Sequence, residues 1–182
     1  MDHYELRWFA PGEVPAAQLR AFAEGKLERR RDEYLLGTGD ALGIKRRGGS
    51  GRLERKKRLE CLTAALEFGA QRHPIAIERW RKTKHDKKLP EQPAWGLVDK
   101  SRARRRVGGC LAELTDLRLQ LPGHAPLAFA SLGFDASGPA AVAMLLLAAR
   151  TLFEADPALA ARFVGAPSMG YPGWLAASQR SS

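Results

Sequence analysis

The chain has 182 residues, which is the length of one domain and is enough to bury an apolar core. Apolar residues make up 45% of it and charged residues 27%, the values of an ordinary globular protein, so a chain that is disordered throughout is excluded. Thirty Lys and Arg against 20 Asp and Glu give a net charge of +10, so we expect a negatively charged partner.

The cysteines and the apolar segments narrow the class of protein further. Only Cys61 and Cys110 are present, which excludes a disulfide-stapled scaffold and a zinc site made of cysteines. Residues 1–10 carry charge and have no apolar stretch typical of a signal peptide. The most apolar run, residues 139–149, is shorter than the ~20 residues that span a bilayer. We therefore expect a cytoplasmic protein with no membrane partner.

The positive charge is concentrated in two blocks of the chain. Residues 26–58 hold twelve Lys and Arg against five Asp and Glu, and residues 72–106 hold twelve against four. Apolar residues such as Ile44, Ile77 and Trp80 interrupt both blocks, whereas a disordered basic arm would lack them. The two blocks, with net charges of +7 and +8, therefore belong to folded structure.

Alternating apolar and polar residues predict strands over most of the chain. A short helix is predicted at residues 15–25, between the first and the second strand. Residues 59–71 fit either a helix or an irregular strand, glycines form a hairpin loop at 48–51, and the Lys-rich segment 83–93 is a loop. The predicted strands cover residues 3–9, 31–36, 41–47, 52–58, 75–82, 95–107, 110–121 and 126–134. Such closely spaced strands are typical of a barrel or a sandwich.

Two further helices are predicted after the last strand, at residues 140–153 and 156–164. The first is apolar on nearly every side, so we expect it to pack on the outer wall of the sheet against Leu6 and Trp8. Tyr171 and Trp174 are expected to dock as well, because they would otherwise expose a large apolar surface. We predict one α+β domain, mainly β, over residues 1–182, with a barrel at about 3–135 and helices and tail at 139–177.

The same alternation sorts the charges onto one face of the sheet. Lys45 and Arg47 share a face of one strand, Lys56 and Arg58 share a face of the next, and Lys100, Arg102 and Arg104 lie together on the long strand. Such rows repel each other unless an anion or water separates them. In a closed barrel they would line a lumen suited to a polyanion, and in an open sheet they would form an exposed basic face.

The order of these segments resembles the CYTH-like, or triphosphate tunnel metalloenzyme, superfamily over residues 3–154. The resemblance is carried by the segments Tyr4-Glu5-Leu6-Arg7-Trp8, Leu42-Gly43-Ile44-Lys45-Arg46-Arg47, Leu53-Glu54-Arg55-Lys56-Lys57-Arg58, Glu78-Arg79-Trp80-Arg81-Lys82 and Glu113-Leu114-Thr115. It implies an eight-stranded antiparallel tunnel barrel with flanking helices, in which basic side chains bind a triphosphate and glutamates hold one or two divalent metals.

The resemblance implies that Glu5 and Glu113 are metal ligands, with Mg²⁺ or Mn²⁺ as the only cofactors expected. The opening motif of the family, E-x-E-x-K, is incomplete here, because the alternate positions after Glu5 are Arg7 and Phe9. One metal-binding carboxylate and the lysine are then missing. Asp135 is a further carboxylate, suited to this site or to a helix cap.

Charge and strand period together assign the anion-binding residues. We expect the following basic residues to bind a triphosphate-type ligand: Lys45, Arg47, Lys56, Arg58, Arg79, Arg81, Arg102 and Arg104.

Three functions remain open from the sequence alone. The first is binding of inorganic, nucleoside or thiamine triphosphate with metal-dependent hydrolysis, and the second is binding of a polyphosphate or nucleotide without turnover. The third, ranked below these, is a basic sheet that binds nucleic acid. Only Tyr34 and Trp80 fit the aromatic pattern of such a sheet, and a strand tryptophan is more often a core residue.

Overall fold

The computed structural model describes residues 2–48, 52–84 and 89–180. The strands within these residues are β1 (Asp2–Pro11), β2 (Glu28–Leu35), β3 (Leu42–Arg47), β4 (Leu53–Phe68), β5 (Gln71–Lys84), β6 (Trp95–Val107), β7 (Cys110–Gln120) and β8 (Leu127–Ala136). They pair antiparallel in the order β1-β5-β4-β3-β2-β6-β7-β8, and β8 pairs with β1 to close a barrel. The predicted barrel is therefore confirmed, and the open-sheet alternative is excluded.

Four helices accompany the barrel in the described part of the chain. They are α1 (Ala16–Phe22), α2 (Ala141–Ala155), α3 (Pro157–Phe163) and α4 (Tyr171–Arg180). None of the helices in the described segments is long and apolar enough to cross a membrane. The sequence predicted the first three, but α4 was expected only as a docked tail.

The largest difference from the predicted strands lies in the β4–β5 hairpin. Residues 59–71, which were left open between helix and strand, complete β4, turn at Gly69 and begin β5. The pairing register of β4 with β5 shifts between Arg58 and Glu60, so the strand stays paired through an irregular point. Residues 49–51 of the predicted glycine loop and residues 85–88 of the predicted loop 83–93 lie outside the described residues.

Helix α2 packs on the outer wall of the barrel, as predicted. Leu6 and Trp8 are fully buried in the same apolar cluster as Leu145 and Phe153 of α2. The rings of Trp8 and Phe153 lie 5.5 Å apart. Alternation on β1 causes this arrangement, because it directs Leu6 and Trp8 outward and Glu5 and Arg7 into the lumen.

The chain then crosses the barrel wall between β1 and β5. The backbone N–H of Phe9 donates to the carbonyl of Pro167 (3.2 Å), and the N–H of Met169 donates to the carbonyl of Arg7 (2.8 Å). On the other side, the N–H of Ala76 donates to the hydroxyl of Ser168 (2.7 Å). The crossing segment therefore satisfies backbone groups of strands that have separated here.

Helix α4 consequently lies inside the barrel. Its aromatic and aliphatic side chains join inward-facing residues of the strands in an apolar group that we call the lumen cluster: Phe9, Tyr34, Val98, Leu117, Leu119, Leu121, Tyr171, Trp174 and Leu175. Glycine permits the approach at Gly43, where an added Cβ would lie 2.9 Å from Cγ of Pro172. The tail docks, as predicted, but in the lumen rather than on the outside.

Truncation after Pro167 should lower the melting temperature by about 10 °C or more. It removes Tyr171, Trp174 and Leu175, whose burial stabilises the fold by ~1.5–3 kcal/mol each, and ~1 kcal/mol corresponds to ~2–4 °C in a domain of this size. Scanning calorimetry checks this against a control that lacks only residues 181–182. An unchanged melting temperature would show that α4 contributes nothing to the stability of the barrel.

Candidate functional site: a basic cavity in the barrel

The other half of the lumen is a partly open cavity of about 370 Å³, which we call the basic cavity. Its volume is at the lower end of the ~300–1,000 Å³ that small-molecule sites occupy. Ten Lys and Arg line it against five Asp and Glu, an excess of five formal positive charges. A small, multiply charged anion is the ligand that such a cavity suits.

Five of the eight predicted anion-binding residues line the basic cavity. They come from β3, β4 and β6, where the predicted face of the strand is the inward one: Lys45, Arg47, Lys56, Arg102 and Arg104. Further lining cations come from β1, β2, β4, β5 and β6 and were not among the predicted set: Arg7, Arg30, Arg55, Lys82 and Lys100. Alternation around Asp32 and Tyr34 on β2 could have identified Arg30.

The prediction for Arg79 and Arg81 is wrong in its strand face. Both guanidinium groups donate to the carboxylate of Asp2, at 3.0 and 2.8 Å, and neither lines the cavity. The inward positions of β5 are instead held by Glu78 and Trp80, which are buried, and by Lys82.

Arg58 is also absent from the cavity lining. Its guanidinium donates to Glu78 (2.8 Å) and to Asp40 of the β2–β3 turn (2.7 Å), and neither carboxylate lines the cavity. Trp80 is fully buried, donates to Glu78 (3.1 Å) and lies 4.5 Å from the ammonium of Lys56, so the core interpretation of Trp80 is confirmed.

Glu5 and Glu113 converge in the cavity, and Arg7 lies between them. Its Nε donates to Glu5 (3.0 Å), one Nη donates to Glu113 (3.2 Å), and the other donates to Ser131 (3.0 Å). All of these groups are buried. The guanidinium therefore occupies the space between the two carboxylates where a shared cation would bind.

The remaining oxygens of both carboxylates also face cations. Lys56 donates to Glu5, and Arg102 (2.9 Å) and Arg104 (3.2 Å) donate to Glu113. Burial raises the pKa of Glu5, but the charges of Lys56 and Arg7 outweigh it and hold this pKa well below its usual range. For Glu113, burial is likewise outweighed by Arg7 and Arg102, and its pKa falls to about 2.

A second group of charges lies deeper, around Asp32, which is fully buried. Its carboxylate is 3.1 Å from Lys100, 3.1 Å from Arg30 and 3.5 Å from Lys45. Lys100 also donates to the hydroxyl of Tyr34 (2.7 Å). Arg30 also pairs with Glu28 (3.2 Å) and Lys45 with Glu54 (3.5 Å), so these cations are held by three carboxylates in a low-dielectric place.

The two lysines of this group, Lys45 and Lys100, have lowered pKa values. Burial, which Asp32 opposes only in part, holds the pKa of Lys100 well below its usual range. Burial also lowers the pKa of Lys45 to about 8. An anion bound here would favour the charged form of both amines.

A different set of residues could hold a metal ion. Among the described residues, one group of His, Asp and Glu brings ligand atoms within 4.8 Å of one another, and it comprises His3, Glu5 and Asp135. Nε2 of His3 lies 3.8 Å from Glu5 and 3.6 Å from Asp135. Nε2 and one oxygen of Asp135 are buried without a hydrogen-bond partner in the described chain, so they are available to an ion. Sequence reasoning identified the two acids but not His3.

Comparison with models of known protein families finds no match, and no curated protein matches the sequence either. The site is therefore interpreted from its own geometry.

Replacing Glu113 by Gln should lower the free energy of unfolding by about 3–5 kcal/mol near pH 7, because Arg7, Arg102 and Arg104 lose a buried counter-charge. The pKa of Glu113 is about 2 in the fold against an ordinary 4.5. The contribution of the Glu113 charge to the free energy of unfolding is thus fully present above pH 4.5 and is lost as the pH falls towards 2. Urea unfolding should show the stabilities of parent and variant converging over that range.

Glu60→Gln on the exposed face of β4 is the matched control, and it should change the free energy of unfolding by no more than about 0.5 kcal/mol at any pH tested. A stability difference for Glu113→Gln that stays constant down to about pH 3 would contradict the assignment of the buried charge to Glu113.

Proposed function

We propose that the basic cavity binds triphosphate-type anions: inorganic triphosphate, or the triphosphate group of a nucleotide or of thiamine. The observation that carries the proposal is the excess of ten cations over five carboxylates around one cavity. Phosphate oxygens accept charge-assisted hydrogen bonds from several Lys and Arg at once, and these bonds are stronger than neutral ones. A ligand with several phosphates is the small anion that best offsets this surplus.

The arrangement of the cations also supports a ligand rather than water alone. Carboxylates fix Arg102, Arg104 and Lys56 before any ligand binds, so little side-chain freedom remains to be lost. At the bottom, Lys100 and Lys45 share Asp32 with Arg30. Bound phosphate would therefore meet cations that are already positioned.

The eight-stranded barrel is compatible with the CYTH-like superfamily, and membership of this protein is part of the proposal. The inward residues of β1 are His3, Glu5 and Arg7, at the spacing of the family's E-x-E-x-K pattern. In this alignment His3 takes the place of the first glutamate and Arg7 that of the lysine. This alignment differs from the one made from the sequence alone, which placed Glu5 at the first glutamate of the motif and Arg7 at the second.

Metal-dependent hydrolysis of the bound phosphate is the second candidate function, and the group of His3, Glu5 and Asp135 is the observation that favours it. One imidazole and two carboxylates suit Mn²⁺, and they suit Mg²⁺ less because Mg²⁺ prefers oxygen ligands. Glu5 and Glu113, with Arg7 between them, do not fit a shared metal ion. A divalent ion at the first group would supply positive charge and lower the pKa of a bound water.

In that reaction the residues of the chain would bind and orient the phosphates. Arg102, Arg104 and Lys56 would neutralise the phosphate oxygens as charge shifts during in-line attack. Burial lowers the pKa of Lys100, so this amine would release a proton more readily than an ordinary lysine does.

Lys56→Met should weaken the binding of tripolyphosphate about 10- to 100-fold at low salt. The substitution removes a charge-assisted contact of ~1.5–3 kcal/mol and leaves Glu5 with one cation fewer. Lys57→Met is the matched control, because Lys57 is the next residue on β4, is exposed and does not line the cavity. Isothermal titration calorimetry compares the two variants with the parent.

The control should bind within about twofold of the parent, since one exposed charge contributes little once salt screens it. Equal losses in both variants would place the binding on the outer surface. No binding by the parent protein at low salt would overturn the proposed function.

Asp135→Asn tests the second candidate. If the protein hydrolyses tripolyphosphate, we expect phosphate release with Mn²⁺ to fall at least about 100-fold in this variant, because one metal ligand is lost. Its affinity for tripolyphosphate without metal should not decrease, because a negative charge has been removed from the cavity. Tight binding by the parent protein without phosphate release, with Mn²⁺ or with Mg²⁺, would identify a binding module rather than a hydrolase.

A further inference from the structure

The lumen of the barrel has two halves of opposite character. The half on the side of the β3–β4 and β6–β7 hairpins is the basic cavity, and the other half is filled by the lumen cluster. In that cluster the rings of Phe9 and Trp174 are stacked with centroids 4.8 Å apart, and those of Tyr34 and Tyr171 are stacked at 5.9 Å. Trp174 and Leu175 are buried to 3% and 5% exposure. An anion in the cavity therefore meets a closed end.

The closed end is built on anchored backbone. Residues 167–169 are hydrogen-bonded to β1, and Ser168 also accepts from β5. Next in the chain, Gly170 fits so closely that an added Cβ would lie 2.6 Å from an oxygen of Glu78 and 2.7 Å from the ring of Trp80. Helix α4 is thus fixed at the point where it enters the lumen, and its first residues have a defined position.

Tyr171 and Pro172, the first residues of α4, form the floor of the basic cavity. The ammonium of Lys100 lies 3.8 Å from the centroid of the Tyr171 ring, and the guanidinium of Arg7 lies 5.0 Å from it. Both cations are almost fully buried. The floor therefore combines an aromatic surface with positive charge that points at whatever lies on it.

We propose that the basic cavity recognises the end of a linear polyphosphate chain, with the terminal phosphate on the floor formed by Tyr171 and the rest of the chain directed towards the mouth. This inference rests on the proposed function and narrows its ligand. Because the lumen cluster fills the other half of the barrel, an internal segment could not pass through the lumen, and both sides of the chain would have to leave at the same end. A cyclic polyphosphate has no terminal phosphate to offer.

The charge at the floor agrees with a terminal group. A terminal phosphate presents three non-bridging oxygens and up to two negative charges, as a phosphate monoester does. An internal phosphate presents two such oxygens and one charge. Arg30, Lys45 and Lys100 surround Asp32, while Arg30 also pairs with Glu28 and Lys45 with Glu54. Lys100 and Arg7 lie against Tyr171, so a terminal phosphate on the floor would meet cations there, inside a cavity that holds ten cations against five carboxylates.

The test compares linear and cyclic ligands by titration calorimetry on the full chain. Pyrophosphate and trimetaphosphate carry similar charge near neutral pH, but only pyrophosphate has ends. Pyrophosphate and tripolyphosphate should bind, and trimetaphosphate should bind about tenfold or more weakly than pyrophosphate. Equal affinity for pyrophosphate and trimetaphosphate would overturn end recognition while leaving anion binding intact.

Chain length supplies an independent measurement. Linear polyphosphates long enough to reach two protein molecules should bind two per chain, one at each end, and this number should not rise with further length. A number of bound proteins that rises with chain length would overturn the inference, and failure of tripolyphosphate itself to bind would overturn the proposed function together with it.

Two variants of α4 test the role of the floor. Tyr171→Ala should reduce the ratio of pyrophosphate to trimetaphosphate affinity about fivefold or more, because it opens space where the terminal group rests. Trp174→Ala is the matched control, since Trp174 is buried in the same helix but does not line the cavity. The ratio of pyrophosphate to trimetaphosphate affinity should be the same in Trp174→Ala as in the parent protein. An equal decrease of this ratio in both variants would contradict a specific role for Tyr171.

Discussion

Closure of the barrel confines basic side chains from β1 to β6 in one small space, and the rest of the site follows from this constraint. Like charges at such distances repel strongly, and burial weakens the screening by water. The structure limits the repulsion by placing carboxylates among the cations, most clearly where Arg7 joins Glu5 to Glu113. These acids position the cations but are too few to neutralise them. The remaining surplus makes the cavity receptive to an anion.

Helix α4 gives this charged space its shape. Without it the lumen would be open along its length, and Lys100 and Tyr34 would lie beside water. With it, the apolar lumen cluster ends at Tyr171, and the boundary between apolar core and charged cavity runs through the contact of Tyr171 with Lys100. Burial at that boundary lowers the pKa of Lys100. The helix that stabilises the fold therefore also sets the electrostatics of the site.

Local patterns in the sequence predicted the barrel and most of its inward charges, because strand alternation is set by the backbone. Lys45, Lys56 and Arg102 follow from it directly. The prediction failed for Arg79 and Arg81 because the sequence does not fix the starting face of β5 after the irregular region at Arg58 and Glu60. A shift of one residue exchanges the two faces of a strand. Pairing with Asp2 then keeps both arginines outside.

The position of α4 could not be predicted, for a different reason. Its Tyr-Pro-Gly-Trp start has the composition of a turn, and Pro and Gly oppose a helix in isolation. The helix is supported by tertiary contacts, such as those of Tyr171 and Trp174 with Phe9. Apolar residues indicate burial, but they do not indicate which side of a barrel wall provides it. His3 escaped notice similarly, because its partner Asp135 is distant in sequence and meets it only through the pairing of β1 with β8.

The carboxylates in the cavity also determine how a ligand competes for its contacts. An anion near Lys56 must share its ammonium group with Glu5. An anion near Arg102 must share the guanidinium group with Glu113. Binding strength is then governed by the surplus of charge rather than by the total number of cations. The dependence of affinity on salt should reflect the same surplus, because ions already paired inside the protein bring no mobile counterions to release. A cavity of this kind discriminates between anions by where their charge lies, and a terminal phosphate would bring its charge to the floor, beside Lys100 and Arg7.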